Sequence, residues 1–360
     1  MVQTIHGGAR MLLTYKFRLK DGTRRKELKT LAGNVNFVWN FSNETIRRRW
    51  KESRFYTSKN DLHVLTKGSS KLLEINSQTI QAVAYECLLR VQKARKSIRF
   101  RTGKKNLGWI PFNGQTVKFH GGYIDYNGYR FRLWQHRQIP GTYQIKTGSF
   151  SEDSRGRWYV NLTCEISDGN WFQEPAAFGS EIGIDPGMKT VMTTSDGHAF
   201  GRDNITKQYA EKLAKAQRHR KKRLAKKINA KIRNSRQDWN HKKSFELAKQ
   251  YQTVFFGNAS SGKLAKTKMA KGVYDAGWHQ IKTFLSYKSL RRGGRMLEIN
   301  ERNSTVTCSV CLQKTGPRGL SGLGIREWSC PCGAVHDRDV NAARNILRLG
   351  RETLSLGRIA

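Results

Sequence analysis

Residues 308–346 read CSVCLQKTGPRGLSGLGIREWSCPCGAVHDRDVNAARNI and decide how the rest of the chain is interpreted. The stretch holds two cysteine pairs, Cys308 with Cys311 and Cys330 with Cys332. Four thiolates on two short turns can complete a tetrahedral shell around Zn²⁺ without a packed core. The spacing therefore predicts one structural zinc ion held by these four cysteines, with no open position for catalysis.

Asp339 follows this array closely, seven residues after Cys332, at the start of an alanine- and asparagine-rich helical segment. A metal-bound module therefore delivers a carboxylate to a fixed place in the fold. The remaining sequence has to explain which groups that carboxylate meets.

The charge of the chain points to a polyanionic partner. Lys and Arg total 67 against 27 acids, a formal charge of +40 over 360 residues. Nucleic acid is the leading interpretation, because so large an excess repels itself unless phosphates neutralise it. A membrane surface is the alternative, but no apolar run of ~18 residues and no signal peptide occurs. We expect a soluble cytoplasmic protein, with Cys87 and Cys164 as buried free thiols.

The first half of the chain predicts a small β-barrel with a helical insertion. Residues 11–20 alternate apolar and basic side chains, as in a strand with one wet face. Helical spacing follows around Trp39, and a second helix is predicted over 77–96 with Ser77 as its N-cap. Glycine turns then separate short predicted strands, at 108–109, 117–120, 123–126, 129–134, 143–145 and 158–166. Their aromatic residues either stack on bases or form the barrel core.

The second half predicts an open α/β sheet with acids at one edge. Asp185 ends the first strand in EIGIDPG, and a turn at 195–197 joins the next two strands. Residues 205–249 read as helical and carry phosphate-binding charge, with sixteen Lys and Arg between 207 and 249 against three acids. A buried parallel strand at 253–256, a helix over 275–290 and a strand over 295–300 follow. Since such sheets bind ligands at the carboxyl ends of their strands, Asp185, Gly257 and Glu301 should share one edge.

These motifs together resemble TnpB, the RNA-guided endonucleases of small insertion sequences, which are related to compact type V CRISPR effectors and to Fanzor. The specific resemblance covers most of 181–350 and rests on GIDPG, the SDG turn, the basic helix and the cysteine array joined to DRDVNAARNIL. It implies a multidomain α+β fold. The first half would hold an OB-like wedge barrel (1–22 and 101–178) and a helical recognition lobe (23–100), and the second half a RuvC-type RNase H-like nuclease domain (179–304 and 336–350) with an inserted zinc ribbon (305–335). Residues 351–360 are short and lack a clear pattern, so we expect a flexible tail.

Two of the family's three catalytic carboxylates correspond directly to residues of this chain. The GID motif assigns the first to Asp185, and the Asp before Val-Asn-Ala-Ala assigns the third to Asp339. Asp337 is the rival, but a helix starting nearby would align Asp339 with Ala342 and Ile346 on one buried face. Asp337 is better suited to capping that helix.

The second carboxylate departs from the family pattern. Most relatives carry Glu-Asp-Leu after the strand that corresponds to 253–256, whereas this chain has Gly257-Asn258-Ala259. Some TnpB-like and Fanzor-like relatives carry a relocated glutamate at the position of Glu301, so the resemblance to this subgroup implies that Glu301 replaces the missing acid. Strand geometry agrees, because neighbouring strands lie about 4.8 Å apart and glycine at 257 would leave room for the side chain. Glu298 is the alternative, but it lies within its strand rather than at the end.

The resemblance implies DNA cleavage with two Mg²⁺ ions, held by Asp185, Glu301 and Asp339, and one Zn²⁺. It also implies a guide RNA from the end of the element, double-stranded target DNA beside a short flanking motif, and a monomer acting at the prokaryotic nucleoid. Three alternatives remain: a guided repressor with a decayed nuclease, a zinc-ribbon nucleic-acid-binding protein without a guide, and a transposase.

Overall fold

The computed structural model describes residues 11–357 apart from 23, 56, 96–97, 168–172, 203–204, 260, 265, 268–269 and 320, with backbone alone at 261, 263, 271, 321 and 323. Positions 1–10 of the predicted barrel and 358–360 of the predicted tail lie outside this range. The chain divides into two compact units, Met1–Trp171 and Phe172–Ala360. Within the described residues, no helix is both long and apolar enough to cross a membrane.

The first unit begins with one strand, continues with helices and then returns to strands, as predicted. The elements are β1 (Met11–Leu19), α1 (Arg25–Ser53), α2 (Lys59–Leu65), α3 (Ser69–Leu73), α4 (Ser77–Ala94), β2 (Trp109–Asn113), β3 (Val117–Phe119), β4 (Tyr123–Tyr126), β5 (Tyr129–Trp134), β6 (Tyr143–Glu152) and β7 (Trp158–Ile166). The strands form one antiparallel sheet in the order β2-β6-β7-β1-β5-β4-β3.

This sheet curls into a nearly closed barrel. Phe112 of β2 and Tyr126 of β4 stand far apart in the strand order, yet their ring centroids are 5.8 Å apart. Phe150 lies 5.3 Å from Phe112 and 5.1 Å from Phe131, so these rings form the barrel core. Trp134, by contrast, is 56% exposed with the Lys20 amine 5.2 Å from its ring. Aromatic side chains on the inner side of the sheet therefore form the barrel core, whereas one on the outer side, such as Trp134, is free to stack on a base.

The helices of the first unit bear out the predicted apolar spacing, with one correction. Val35, Val38 and Ile46 are all buried on α1. The N-cap of α4 is Asn76 rather than Ser77, because the Asn76 side chain accepts from the N–H of Gln78. Cys87 and Cys164 are buried and free, and burial raises the pKa of each thiol to about 12.

The second unit contains β8 (Ala177–Asp185), β9 (Thr190–Thr194), β10 (Ala199–Gly201), α5 (Ile205–Gln208), α6 (Ala210–Arg218), α7 (Lys222–Gln250), β11 (Tyr251–Gly257), α8 (Ser261–Leu264), α9 (Ala270–Ala276), α10 (Trp278–Leu290), β12 (Arg295–Ile299), β13 (Glu327–Ser329), β14 (Val335–Asp337) and α11 (Arg338–Ser355). Its main sheet has the order β10-β9-β8-β11-β12, and β11 runs parallel to both neighbours. The strand at 253–256 is therefore parallel, as predicted, and lies between β8 and β12.

The helices of the second unit differ from the prediction at three places. The segment predicted as helical over 205–249 divides into α5, α6 and α7. The helix expected from Asp275 begins at Trp278, because Gly277 adopts φ +69° and separates it from α9. The prediction of a flexible tail over 351–360 is wrong for its first five residues, because α11 continues to Ser355. There Arg351 pairs with Glu181 of β8 at 2.6 Å, which ties the helix end to the sheet.

Candidate active site

The two faces of the main sheet separate apolar core from carboxylates. On β8, Ile182 and Ile184 belong to a core that also includes Trp278 and Ile281 of α10. Side chains alternate along a strand, so Asp185 projects from the opposite face, where α11 packs. The backbones of β8 and α11 lie close together there, because a Cβ built on Gly183 would lie 2.2 Å from the carbonyl oxygen of Ala343.

Gly257 is the neighbour of Asp185 on that face. Phe256 of β11 pairs in register with Ile184 of β8, so Gly257 follows at the level of Asp185. A Cβ built on Gly257 would lie 2.5 Å from Oε2 of Glu301 and 2.8 Å from Cδ of Pro186. Glu301 therefore fills the space that a side chain at 257 would occupy.

Glu301 reaches this place from the loop after β12. Its Oε2 atom is buried and has no hydrogen-bond partner among the described residues. Burial raises the pKa of the carboxyl, although the N–H of Ala259 and the charge of Lys282 act in the opposite direction. A buried acceptor without a donor is costly in a folded protein, and a bound cation would satisfy it.

Glu298 lies elsewhere. It is level with Phe256 on β12, and its carboxylate pairs with the amine of Lys282 on α10 at 2.7 Å. That contact places Glu298 on the α10 side of the sheet, away from the face that carries Asp185.

Asp339 enters the site from the first turn of α11. The Asp337 side chain caps this helix by accepting from the N–H groups of Asp339 at 3.0 Å and Val340 at 2.8 Å. The capping role expected for Asp337 is therefore present. Arg326 binds both carboxylate oxygens of Asp339, at 3.0 and 2.9 Å.

The charges of Glu301 and Asp339 both act on Asp185. Asp185 is half-buried, and its carboxyl group is largely desolvated by the surrounding protein. This burial, together with the charges of Glu301 and Asp339, raises the pKa of Asp185 well above its usual value, while Arg338 and Arg326 oppose the rise. Carboxylates that repel one another in a partly dry site suit hard divalent cations, which take oxygen ligands.

The four cysteines also converge as predicted. Their sulfur atoms all lie within 4.8 Å of one another. Cys308 and Cys332 are 3.8 Å apart, and Cys311 and Cys330 are 3.6 Å apart. Tetrahedral thiolates at the usual Zn–S length would lie about 3.8 Å apart, so the cluster fits zinc. The Thr315 hydroxyl, 3.1 Å from the Cys330 sulfur, is the largest of several contacts that lower the pKa of that thiol, with the backbone and thiol of Cys332 acting in the same direction.

Comparison with known proteins identifies the family. The Cas12f1-like TNB domain model matches residues 278–346. A Streptomyces pristinaespiralis protein named as an RNA-guided DNA endonuclease is 30% identical, over 95% of this chain and 90% of its own length. The chain belongs to the TnpB family of RNA-guided DNA endonucleases.

Other relatives of this TnpB-family chain agree. The Escherichia coli K12 protein InsQ, also named as an RNA-guided DNA endonuclease, is 26% identical over 96% of the chain and 94% of its own length. TnpB-like protein L79 of Acanthamoeba polyphaga mimivirus is 25% identical over 59% of the chain and 44% of its own. A Cas12f1 solved with sgRNA and target DNA superposes with a TM-score of 0.61 at 14% identity, over 89% of this chain and 82% of that one, which shows a shared fold.

Sequence reasoning missed four side chains of this TnpB-family site: Arg326, His336, Asn341 and Asn345. Nε2 of His336 lies 3.0 Å from the Cys308 sulfur. Asn341 and Asn345 donate to the carbonyl of Thr307 at 2.8 and 2.7 Å. The placement of His336 between the last cysteine and Asp339 was the available signal, whereas the asparagines read as ordinary helix residues.

Proposed function

We propose that this chain is a transposon-associated, RNA-guided endonuclease. Its active site would consist of Asp185, Glu301 and Asp339, which would bind two Mg²⁺ ions for the hydrolysis of DNA. The observation that carries the proposal is the position of Glu301, whose Oε2 atom fills the space beside Gly257, next to Asp185. A chain that lacks the usual acid at 257 thereby keeps a carboxylate beside Asp185, and the charges of Glu301 and Asp339 both act on Asp185, which supports the three-carboxylate site.

Each carboxylate is positioned by a different element. Asp185 is fixed at the end of β8, Glu301 by the loop after β12, and Asp339 by the capped first turn of α11. Two bound Mg²⁺ ions would supply an activated water and stabilise charge on the leaving oxygen. Arg326 holds Asp339 through both oxygens, so it must release or share that carboxylate when a cation is bound.

The domain assignment rests on topology. The order β10-β9-β8-β11-β12, with an antiparallel β8–β9–β10 unit and parallel β11 and β12, supports a RuvC-type RNase H-like domain over 179–304 and 336–350. The cysteine cluster and the β13–β14 hairpin support a zinc ribbon over 305–335. In the first unit, the curled sheet supports the wedge barrel over 1–22 and 101–178, and the inserted helices support the recognition lobe over 23–100.

Guide RNA and double-stranded target DNA are the proposed partners, with the complex acting as a monomer. The +40 charge fits both nucleic acids, and the Cas12f1 relative of similar fold was solved with sgRNA and target DNA. The RNA would pair with the target strand, while the protein reads a short flanking motif.

The test is cleavage of a plasmid that carries the guide-matched target beside a randomised flanking sequence. The chain purified with its own RNA should cut in Mg²⁺ and leave the plasmid intact without it. Asp185→Ala should bind the same RNA and target without cutting. Binding without cutting by the wild-type chain would instead support the guided repressor, and cutting by the Asp185→Ala variant would refute the site.

A further inference from the structure

His336 contacts a zinc ligand directly. The residue is buried, at 3% exposure, on β14. Its Nε2 atom lies 3.0 Å from the sulfur of Cys308, and its ring packs 4.6 Å from the ring of Trp328, its partner in register on β13. The imidazole can therefore move little, and it can donate an N–H to the Cys308 thiolate when zinc is bound.

The same residue stands next to the start of α11. Asp337 follows it at once and caps the helix through the N–H groups of Asp339 and Val340. Only two residues separate His336 from Asp339. The segment between the imidazole and the Asp339 carboxylate is therefore short and is held by hydrogen bonds at the start of the helix.

A second contact holds the first cysteine turn from the other side of Asp339. Oδ1 of Asn341 accepts from the N–H of Ser309 at 2.8 Å, and Nδ2 donates to the carbonyl of Thr307 at 2.8 Å. Ser309 and Thr307 are the two neighbours of Cys308 in sequence. Asn341 is 1% exposed, so water cannot replace these bonds without opening the interface.

We propose that His336 and Asn341 are positioning residues that couple zinc binding at Cys308 to the placement of the Asp339 carboxylate. His336 precedes Asp339 in the chain and Asn341 follows it, and both side chains contact the turn that carries Cys308. This coupling rests on the proposed function only in taking Asp339 as a ligand of the divalent cation. Groups that orient metal ligands in this way typically contribute about 10- to 100-fold in metal affinity.

The test uses the full-length chain and two metal measurements that need no cleavage. Zinc release is followed with a chromogenic chelator, and Mn²⁺ binding at the carboxylates is followed by electron paramagnetic resonance, with Asp339→Ala as the background. His336→Ala should release zinc at least about tenfold faster and bind Mn²⁺ about tenfold more weakly. His336→Gln, which keeps a side-chain N–H, should recover part of both losses. Val335→Ala, on the same strand but 72% exposed, should match the wild type.

The outcomes separate the possible roles. Unchanged zinc release and Mn²⁺ binding in His336→Ala would overturn the proposal. Faster zinc release with unchanged Mn²⁺ binding would also overturn it, because His336 would then serve the zinc site alone. Should His336→Ala fail to fold, Asn341→Asp, which keeps only the acceptor, must weaken Mn²⁺ binding for the coupling to stand. A wild-type chain that binds Mn²⁺ but never cuts DNA would refute the proposed function and leave this coupling intact.

Discussion

Glu301 and Gly257 share one space: a Cβ on Gly257 would lie 2.5 Å from Oε2 of Glu301, far inside van der Waals contact. The glycine and the glutamate therefore depend on each other. A chain with a side chain at 257 could not seat Glu301 as it is seated here. The missing acid at 257 and the acid at 301 are thus two parts of one arrangement.

Gly257→Ala should impair both stability and cleavage. The new methyl group would meet Glu301, Cδ of Pro186 at 2.8 Å and Cδ1 of Ile346 at 3.1 Å. Overpacking of this kind costs roughly 1–3 kcal/mol, and the displaced Glu301 should lower the cleavage rate at least tenfold. Urea denaturation and plasmid cleavage measure the two effects. Gly201→Ala is the control, because nothing lies within 4 Å of a Cβ built there. Equal behaviour of the two variants would contradict the shared-space arrangement.

Asp185→Asn should stabilise the chain when Mg²⁺ is absent. Burial, followed by the charges of Glu301 and Asp339, raises the pKa of Asp185 in the folded state. The folded chain then binds more protons than the unfolded chain, so its stability falls as pH rises above the unperturbed value of 3.8. The asparagine removes this loss, and the variant should melt at a higher temperature near pH 7.

The melting difference should disappear below that pH. Addition of Mg²⁺ should raise the melting temperature of the wild-type chain more than that of Asp185→Asn. Thermal unfolding across pH, with and without Mg²⁺, tests both statements. An Asp185→Asn variant no more stable than the wild type at neutral pH would show that the site is not under electrostatic strain.

Loss of zinc should abolish cleavage. In the double variant Cys308→Ser, Cys311→Ser, half of the sulfur cluster is lost, and the turn that contacts α11 through Asn341 is no longer held. We expect zinc content to fall from one ion per chain to near zero, with cleavage lost in parallel. Cys87→Ala, at a buried thiol in the first unit, should keep its zinc. Normal cutting by the zinc-free variant would separate the ribbon from the active site.

The basic helix α7 should contribute to RNA binding through its free charges. Lys226 and Lys227 are exposed, and neither has an ion pair among the described residues. Replacing both with glutamine should weaken binding of the co-purified RNA and make its salt dependence shallower by up to roughly 1.5 logarithmic units per decade. Lys242→Gln is the control on the same helix, because Lys242 already pairs with Asp238 at 2.8 Å. Equal effects from the two helix positions would argue against a phosphate contact at 226 and 227.

Much of the fold followed from local pattern. Alternation predicted β1, and helical spacing predicted the buried face of α1, because burial imposes these periods on apolar residues. Glycine turns indicated the later barrel strands, although β6 extends from Tyr143 to Glu152 where only 143–145 was predicted. Helix boundaries were less predictable. Asn76 and Ser77 are both good caps, and only the backbone decides which side chain receives the Gln78 N–H. At the extended end of α11, Leu354 packs against the cluster of Phe255 and Ile299, and Arg351 pairs with Glu181, contacts to other elements that the sequence of the helix does not reveal.

The site was predictable where spacing determines chemistry. The four cysteines and Asp337 as a cap follow from distances along the chain. The contacts of Arg326 with Asp339 and of His336 with Cys308 cross between elements, so no period in the sequence announces them. The positions of Glu301 and Glu298 also required the sheet, since strand register determines which face each side chain occupies.

The most direct test compares Glu301→Ala with Glu298→Ala in Mg²⁺-dependent cleavage of the guide-matched plasmid. Glu301→Ala should lose cleavage by at least about a hundredfold while still binding RNA and target. Glu298→Ala should cut at close to the wild-type rate, because Glu298 pairs with Lys282 on the other face of the sheet. A Glu301→Ala variant that cuts normally, or a Glu298→Ala variant that alone is inactive, would contradict the assignment of Glu301 as the second carboxylate.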